Sequence, residues 1–179
     1  MKLGTIIFAS VIVAALVMSL GCTKNYTVIQ PLGESIDSGE NCFIGEIKDE
    51  LPLDMDPEDK PTQEHIDLLK SAIMEELAEK DLFNRITMDP GSERYEVSGA
   101  IVEFKRGSGW IRALIGFGVG SAKLTVYLEL YDTEAKNVLF SANFKQTVSS
   151  YMESGDETFR RVAKDFAKAL EDQIENLKE

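Results

Sequence analysis

Three observations in this 179-residue sequence predict an α+β fold: a mainly antiparallel sheet of about five strands with two helices packed on one face. Two stretches, Ala122 to Asp132 and Val138 to Val148, alternate apolar and polar residues, and only Thr133 to Asn137 separates them. Alternating runs joined so tightly pair as an antiparallel hairpin. Two other stretches repeat apolar residues at helical spacing. The order is strand, strand, helix, three strands, helix, which groups the strands and keeps the helices few.

Tyr26 to Leu32 reads as a short strand, with Pro31 marking a sheet edge or a strand end. Gly33 to Glu40 is a polar turn, and Asn41 to Lys48 is a second strand. Asp49 to Asp59 (DELPLDMDPED) carries six acids and two prolines and reads as an exposed loop. Thr62 is placed to cap a helix over Gln63 to Lys80, where Ile66, Leu69, Ile73 and Leu77 fall on one face. Met88 to Glu93 is a turn, and Arg94 to Phe104 is the third strand. In the fourth strand Leu124, Val126, Leu128 and Leu130 face inward; in the fifth, Val138, Phe140, Ala142, Phe144 and Val148 do. Ser154 and Glu157 have capping-box spacing. The helix they open carries the stripe Phe159, Val162, Phe166, Leu170, Ile174 and Leu177. A stripe that long has to lie on the sheet.

The first 22 residues differ from the rest. Lys2 precedes an apolar run from Leu3 to Leu20, then come Gly21 and Cys22, and the composition turns polar. A charged start, an apolar middle and a small residue before the cut describe a secretory signal. The run is also just long enough for an uncleaved membrane anchor, and a buried core helix is the third reading. Gly21-Cys22 resembles the lipobox of bacterial lipoproteins, although Ser19 and Leu20 depart from its usual residues. That resemblance implies diacylglycerol on Cys22, which would become residue one of the mature chain. The organisation expected is therefore signal peptide 1–21, short tether 22–25 and one α+β domain 26–179. A four-residue tether reaches only about 14 Å, so the domain should lie close against the lipid.

Net charge is −12, and the loss of Lys2 with a signal would make it one unit more negative. A chain this acidic is repelled by phosphate backbones, which argues against nucleic acid as a partner. With Cys22 committed to lipid, Cys42 has no cysteine to pair with. Beside Phe43 and Ile44 it reads as a buried, inert thiol.

Arg106 to Ser121 (RGSGWIRALIGFGVGS) holds five glycines and the chain's only Trp, Trp110. From Phe104 to Leu128 there is no acid, while Lys105, Arg106, Arg112 and Lys123 are basic. Gly116, Gly118 and Gly120 form GxGxG but not the dinucleotide fingerprint, because Ser121 stands where the last glycine would be one residue later and no strand–loop–helix context follows. Two readings stand. The glycines bend the backbone while Trp110 and its neighbours cover an open end of the core. Alternatively, Trp110, Arg112, Phe117 and the glycines form a contact surface for lipid or protein.

Gly99 to Leu130 (GAIVEFKRGSGWIRALIGFGVGSAKLTVYLEL) is similar to the signature of an uncharacterised bacterial lipoprotein family, domain of unknown function 4410. The matching residues are Gly116, Phe117, Gly118, Gly120, Lys123 to Leu130, and Asp132. The usual Thr-Gly turn after that Asp is replaced by Glu134-Ala135-Lys136. The resemblance implies a cell-envelope location and the α+β fold, and brings no activity. Thr23 after Cys22, by likeness to enteric lipoproteins, favours the outer membrane, facing the periplasm.

His65 is the only histidine and reads as a partly exposed helix residue, so no Ser-His-Asp, Cys-His or zinc arrangement can be assembled around it. Asp54, Asp56, Glu58 and Asp59 lack EF-hand spacing and read as solvated charge. No cofactor is expected. The function expected is that of a non-catalytic, lipid-anchored envelope protein. Its partners would be the membrane through Cys22 and another envelope protein or a second copy of itself. The alternative is a small-ligand binder or hydrolase built from carboxylates and Tyr side chains on the sheet's open face.

Overall fold

The computed structural model describes residues 25–56, 60–105, 122–148 and 155–178. The strands are β1 (Tyr26–Gln30), β2 (Asn41–Asp49), β3 (Arg85–Thr87), β4 (Tyr95–Lys105), β5 (Ala122–Asp132) and β6 (Asn137–Val148), and the helices are α1 (Gln63–Glu79) and α2 (Gly155–Asn176). They form one six-stranded sheet in the order β1-β6-β5-β4-β2-β3. Beneath its buried face α1 lies against β2 and β3, α2 against β5 and β6, and the helices pack on each other.

The α+β class and the hairpin are as expected, but the sheet has six strands and is mixed. β1–β6, β6–β5 and β5–β4 are antiparallel, whereas β2 is parallel to both β3 and β4. The cause is α1. A helix between two strands carries the chain back to the end where the first strand started, so the strand that follows runs parallel. Period-two alternation reports which face is buried and is silent about direction. β3 escaped notice because Arg85–Thr87 is too short to show a period; its pairing of Ile86 with Cys42 defines it.

Inward side chains of β2, β4, β5 and β6, among them Ile44, Val97, Ile101, Leu128, Phe140 and Phe144, meet Leu69, Ile73 and Leu77 of α1 and Phe159, Val162, Phe166 and Leu170 of α2 in one core. Two inward expectations fail. Leu177 lies past the end of α2, where the helix no longer holds it against the sheet, and is exposed. A register shift between Leu130 and Tyr131 leaves Leu139 as an extra residue in β6, so Val138 pairs with Tyr131 and Leu139 takes the buried place. Cys42 is a free, fully buried thiol, and burial pushes its pKa up to about 12, so it is inert as expected.

Helix ends explain two further residues. Thr62 N–H donates to His65 Nδ1 at 3.0 Å, and Thr62 Oγ1 lies 2.9 Å from the same nitrogen. Nδ1 therefore accepts, the ring is the neutral Nε2–H tautomer in this arrangement, and His65 stacks on Phe159 at 5.1 Å between centroids. The histidine closes a capping box where Glu or Gln is usual. At the other end Asp81 adopts φ 50°, with Asp81 N–H donating to Ala78 O and Leu82 N–H to Leu77 O. This is a Schellman ending with Asp in the glycine position. Among the described residues no helix is long and apolar enough to cross a membrane.

Candidate functional site on the open sheet face

The sheet face away from the helices is polar, because every second residue of β4, β5 and β6 points there. Its centre is built by register. Glu129 on β5 pairs with Ser98 on β4, and Tyr127 with Ala100. Tyr127 Oη donates to Glu129 Oε2 at 2.6 Å, and Ser98 Oγ donates to Glu129 Oε1 at 3.1 Å. Burial, and then the bond to Glu129, raise the Tyr127 pKa, so the phenol keeps its proton. With Glu46, Lys48 and Glu96 these groups line a shallow polar groove of about 300 Å³. Both oxygens of Glu129 accept hydroxyl hydrogens. The trio is thus a locked hydrogen-bond network, and Glu129 is not poised as a free base.

Gly99 makes the register possible. A side chain there would meet the Tyr127 carbonyl oxygen at 2.2 Å, so only glycine lets β4 and β5 approach at this point. The carboxylates and the tyrosine anticipated for the alternative reading are therefore together. Alternation marks Tyr127 and Glu129 as outward, but their meeting with Ser98 depends on register, which no local pattern carries.

A second groove, of about 490 Å³, lies where the chain enters the fold. Asn25 O accepts the Lys145 N–H at 2.8 Å, and beside it stand Thr125, Asn143, Gln146, Thr147 and Arg161. Among the described residues no carboxylate lines this groove. On the open face Lys105 pairs directly with Lys123, and Lys145 pairs with Thr125, while Arg161 and Gln146 reach the groove from the helix side.

Cys22 and the expected contact residues Trp110, Arg112, Gly116, Phe117, Gly118 and Gly120 lie outside the described residues. The residues that bracket them are described. Lys105 ends β4 opposite Lys123 near the start of β5, Ala122 pairs with Val148, and β1 starts at Tyr26 opposite Phe144. Chain entry, the two ends of the 106–121 connection and the end of β6 are therefore all at one end of the sheet. The turn at the opposite end holds Asp132, 2% exposed. Its Oδ1 accepts the N–H groups of Glu134 (2.9 Å) and Ala135 (2.8 Å), and its Oδ2 lies 3.2 Å from Arg94 Nε. Lys136 at φ 58° takes the place a glycine would hold.

No curated protein matches this sequence. Among solved structures, two crystal forms of the PelC dodecamer from Paraburkholderia phytofirmans share 20% and 18% identity. They cover 79% and 78% of this chain and 97% of theirs, with TM-scores of 0.56. Protein XCC0632 from Xanthomonas campestris shares 11% identity over 83% of this chain and 94% of its own, with a TM-score of 0.53. At such identities the likeness is one of fold. Residues 32–153, well over half of the sequence and spanning β2 to β6, match the model of the Domain of unknown function (DUF4410), and the chain belongs to that family.

Proposed function

We propose that this protein is a non-catalytic, lipid-anchored component of the bacterial cell envelope, held to the outer membrane through Cys22 and facing the periplasm. Residues 1–21 are the signal peptide in this reading, 22–25 the tether and 26–179 the interaction domain. The observation that carries it is the shared end of the sheet. Chain entry at Asn25 and both ends of the 106–121 connection lie together, so a tether as short as 22–25 presents that connection to the bilayer. Trp110, Arg112, Phe117, Gly116, Gly118 and Gly120 are the proposed contact, with either lipid or a second subunit. The fold shared with a protein that crystallises as a dodecamer supports a second copy as the partner.

Intact mass of the purified protein tests the anchor: acyl chains on a chain starting at Cys22 support it, and Met1 still attached with no acyl mass refutes it. For the contact, Trp110→Ala with Arg112→Glu should reduce recovery in the oligomeric fraction about tenfold, with the acyl anchor and the circular dichroism unchanged. Unaltered recovery would overturn it.

A further inference from the structure

The groove at the chain entry is a basic site on an acidic protein, and we propose that it receives the headgroups of anionic phospholipids. The inference rests on the membrane-anchored reading above and assigns a different set of residues. Lys145 and Arg161 line the groove with Thr125, Thr147, Asn143 and Gln146, which sets two cations, Arg161 being paired with Glu157, among hydroxyl and amide groups. Hydroxyls, amides and cations together form the donor set that phosphate oxygens take. Arg161 is braced by Glu157, its Nε 3.4 Å from Oε1, and Gln146 Nε2 donates to Asp165 Oδ2 at 2.5 Å, which holds both side chains in place.

The neighbouring strands extend the basic surface. Lys105 and Lys123 face each other directly across β4 and β5, and Lys145 lies on the diagonal from Lys123. Like charges opposite one another on a sheet repel. None of the three lysines has an ion-pair partner among the described residues. Glu103 is the acid on this part of the face, and its Oε2 is taken by the Thr125 hydroxyl at 2.8 Å. The acidic loop after β2 leaves at the same end of the sheet, since Asp49 pairs with Ile101, but from the side of β4 away from β5 and β6. In a chain of net charge −12, repelled as a whole by an anionic surface, three lysines without an ion-pair partner among the described residues are complementary to such a surface on this part of the face.

The test uses the full-length protein in nanodiscs of phosphatidylcholine alone or mixed with phosphatidylglycerol, and reads the acetylation rate of each lysine by mass spectrometry. Lys123 and Lys145 should react about fivefold more slowly in the anionic discs, and added salt should abolish the difference. Lys136 and Lys178, at the far end, should be indifferent to lipid. Equal rates at Lys123 and Lys145 in both lipids overturn the proposal, as does equal slowing at Lys136 and Lys178. Lys145→Glu should return Lys123 most of the way to its phosphatidylcholine rate; a Lys123 still fully protected in that variant also counts against the groove. An acylated protein with lipid-independent rates removes the headgroup contact alone, whereas one with neither acyl mass nor retention in the discs removes the anchor with it.

Discussion

Asp132 and Asp165 are perturbed in opposite senses, and the difference is a matter of donors. Burial pushes the Asp132 carboxyl upward, but the N–H groups of Ala135 and Glu134 and the Arg94 guanidinium outweigh it, so its pKa lies below the ordinary value. Asp165 on α2 is also pushed up by burial, and there the Gln146 amide and the charges of Lys168, Lys164 and Arg161 are too weak to reverse it. The consequences for stability follow. The Asp132 contribution is present above the unfolded carboxylate pKa, about 3.9, and is lost as pH falls through the depressed folded value. Asp165 works the other way: its contribution is present below about 3.9 and is lost as pH rises through the raised folded value. Asp132→Asn should therefore lower stability at about pH 7 by about 1–2 kcal/mol, and by less near pH 3. Asp165→Asn should raise stability at about pH 7 and leave it unchanged near pH 3. Urea titrations at the two pH values check both signs. Little of this was legible beforehand. Asp132 stood out as the aspartate before a turn, but Asp165 meets Gln146 only because α2 lies over β6.

At the scale of the element, α2 carries the most. Phe166 is fully buried, with its ring edge-on to Phe144 at 5.7 Å and tilted against Phe140 at 6.2 Å. Phe166→Ala should cost about 3–5 kcal/mol, because it removes buried area and leaves a cavity between helix and sheet. That is comparable to the whole stability of a domain in the usual range of about 5–15 kcal/mol, so thermal unfolding should show a large drop or no folded protein. The helix was legible from its stripe alone, since six apolar residues at helical spacing admit one face and one period. That it lies on the sheet was foreseeable from the length of the stripe; which strands it covers, and its pairing with α1, were not. α1 was legible too, yet its effect on strand direction was not, because a helix in sequence does not say between which neighbours its strands insert.

For the whole molecule, both surfaces of interest are produced by topology. β1 begins at Tyr26 on the edge of the sheet, and that edge position brings Asn25 beside Lys145. Lys145 and Thr125 of the basic groove share the open face with the Glu129 network, while Arg161 and Gln146 reach the groove from the helix side. If the chain assembles as proposed, mass photometry of the detergent-purified protein should show a defined species several times the mass of the mature protomer. A sharp monomer at all concentrations would refute self-assembly and leave an unlike envelope protein as partner.

Composition and local period by themselves determined a good deal: the α+β class, the extent of the long elements, the inward face of each long strand and the buried Cys42; the family was marked by the resemblance of one segment, Gly99 to Leu130. These follow from short-range regularities, which a linear chain displays directly. Strand order, the parallel β2–β4 pairing, the Leu139 bulge, the Tyr127–Glu129–Ser98 network and the basic groove at Lys145 and Arg161 were decided only by the tertiary structure. Each depends on which distant segments become neighbours. That choice is made by the burial of the whole core at once, and no single stretch of sequence contains it.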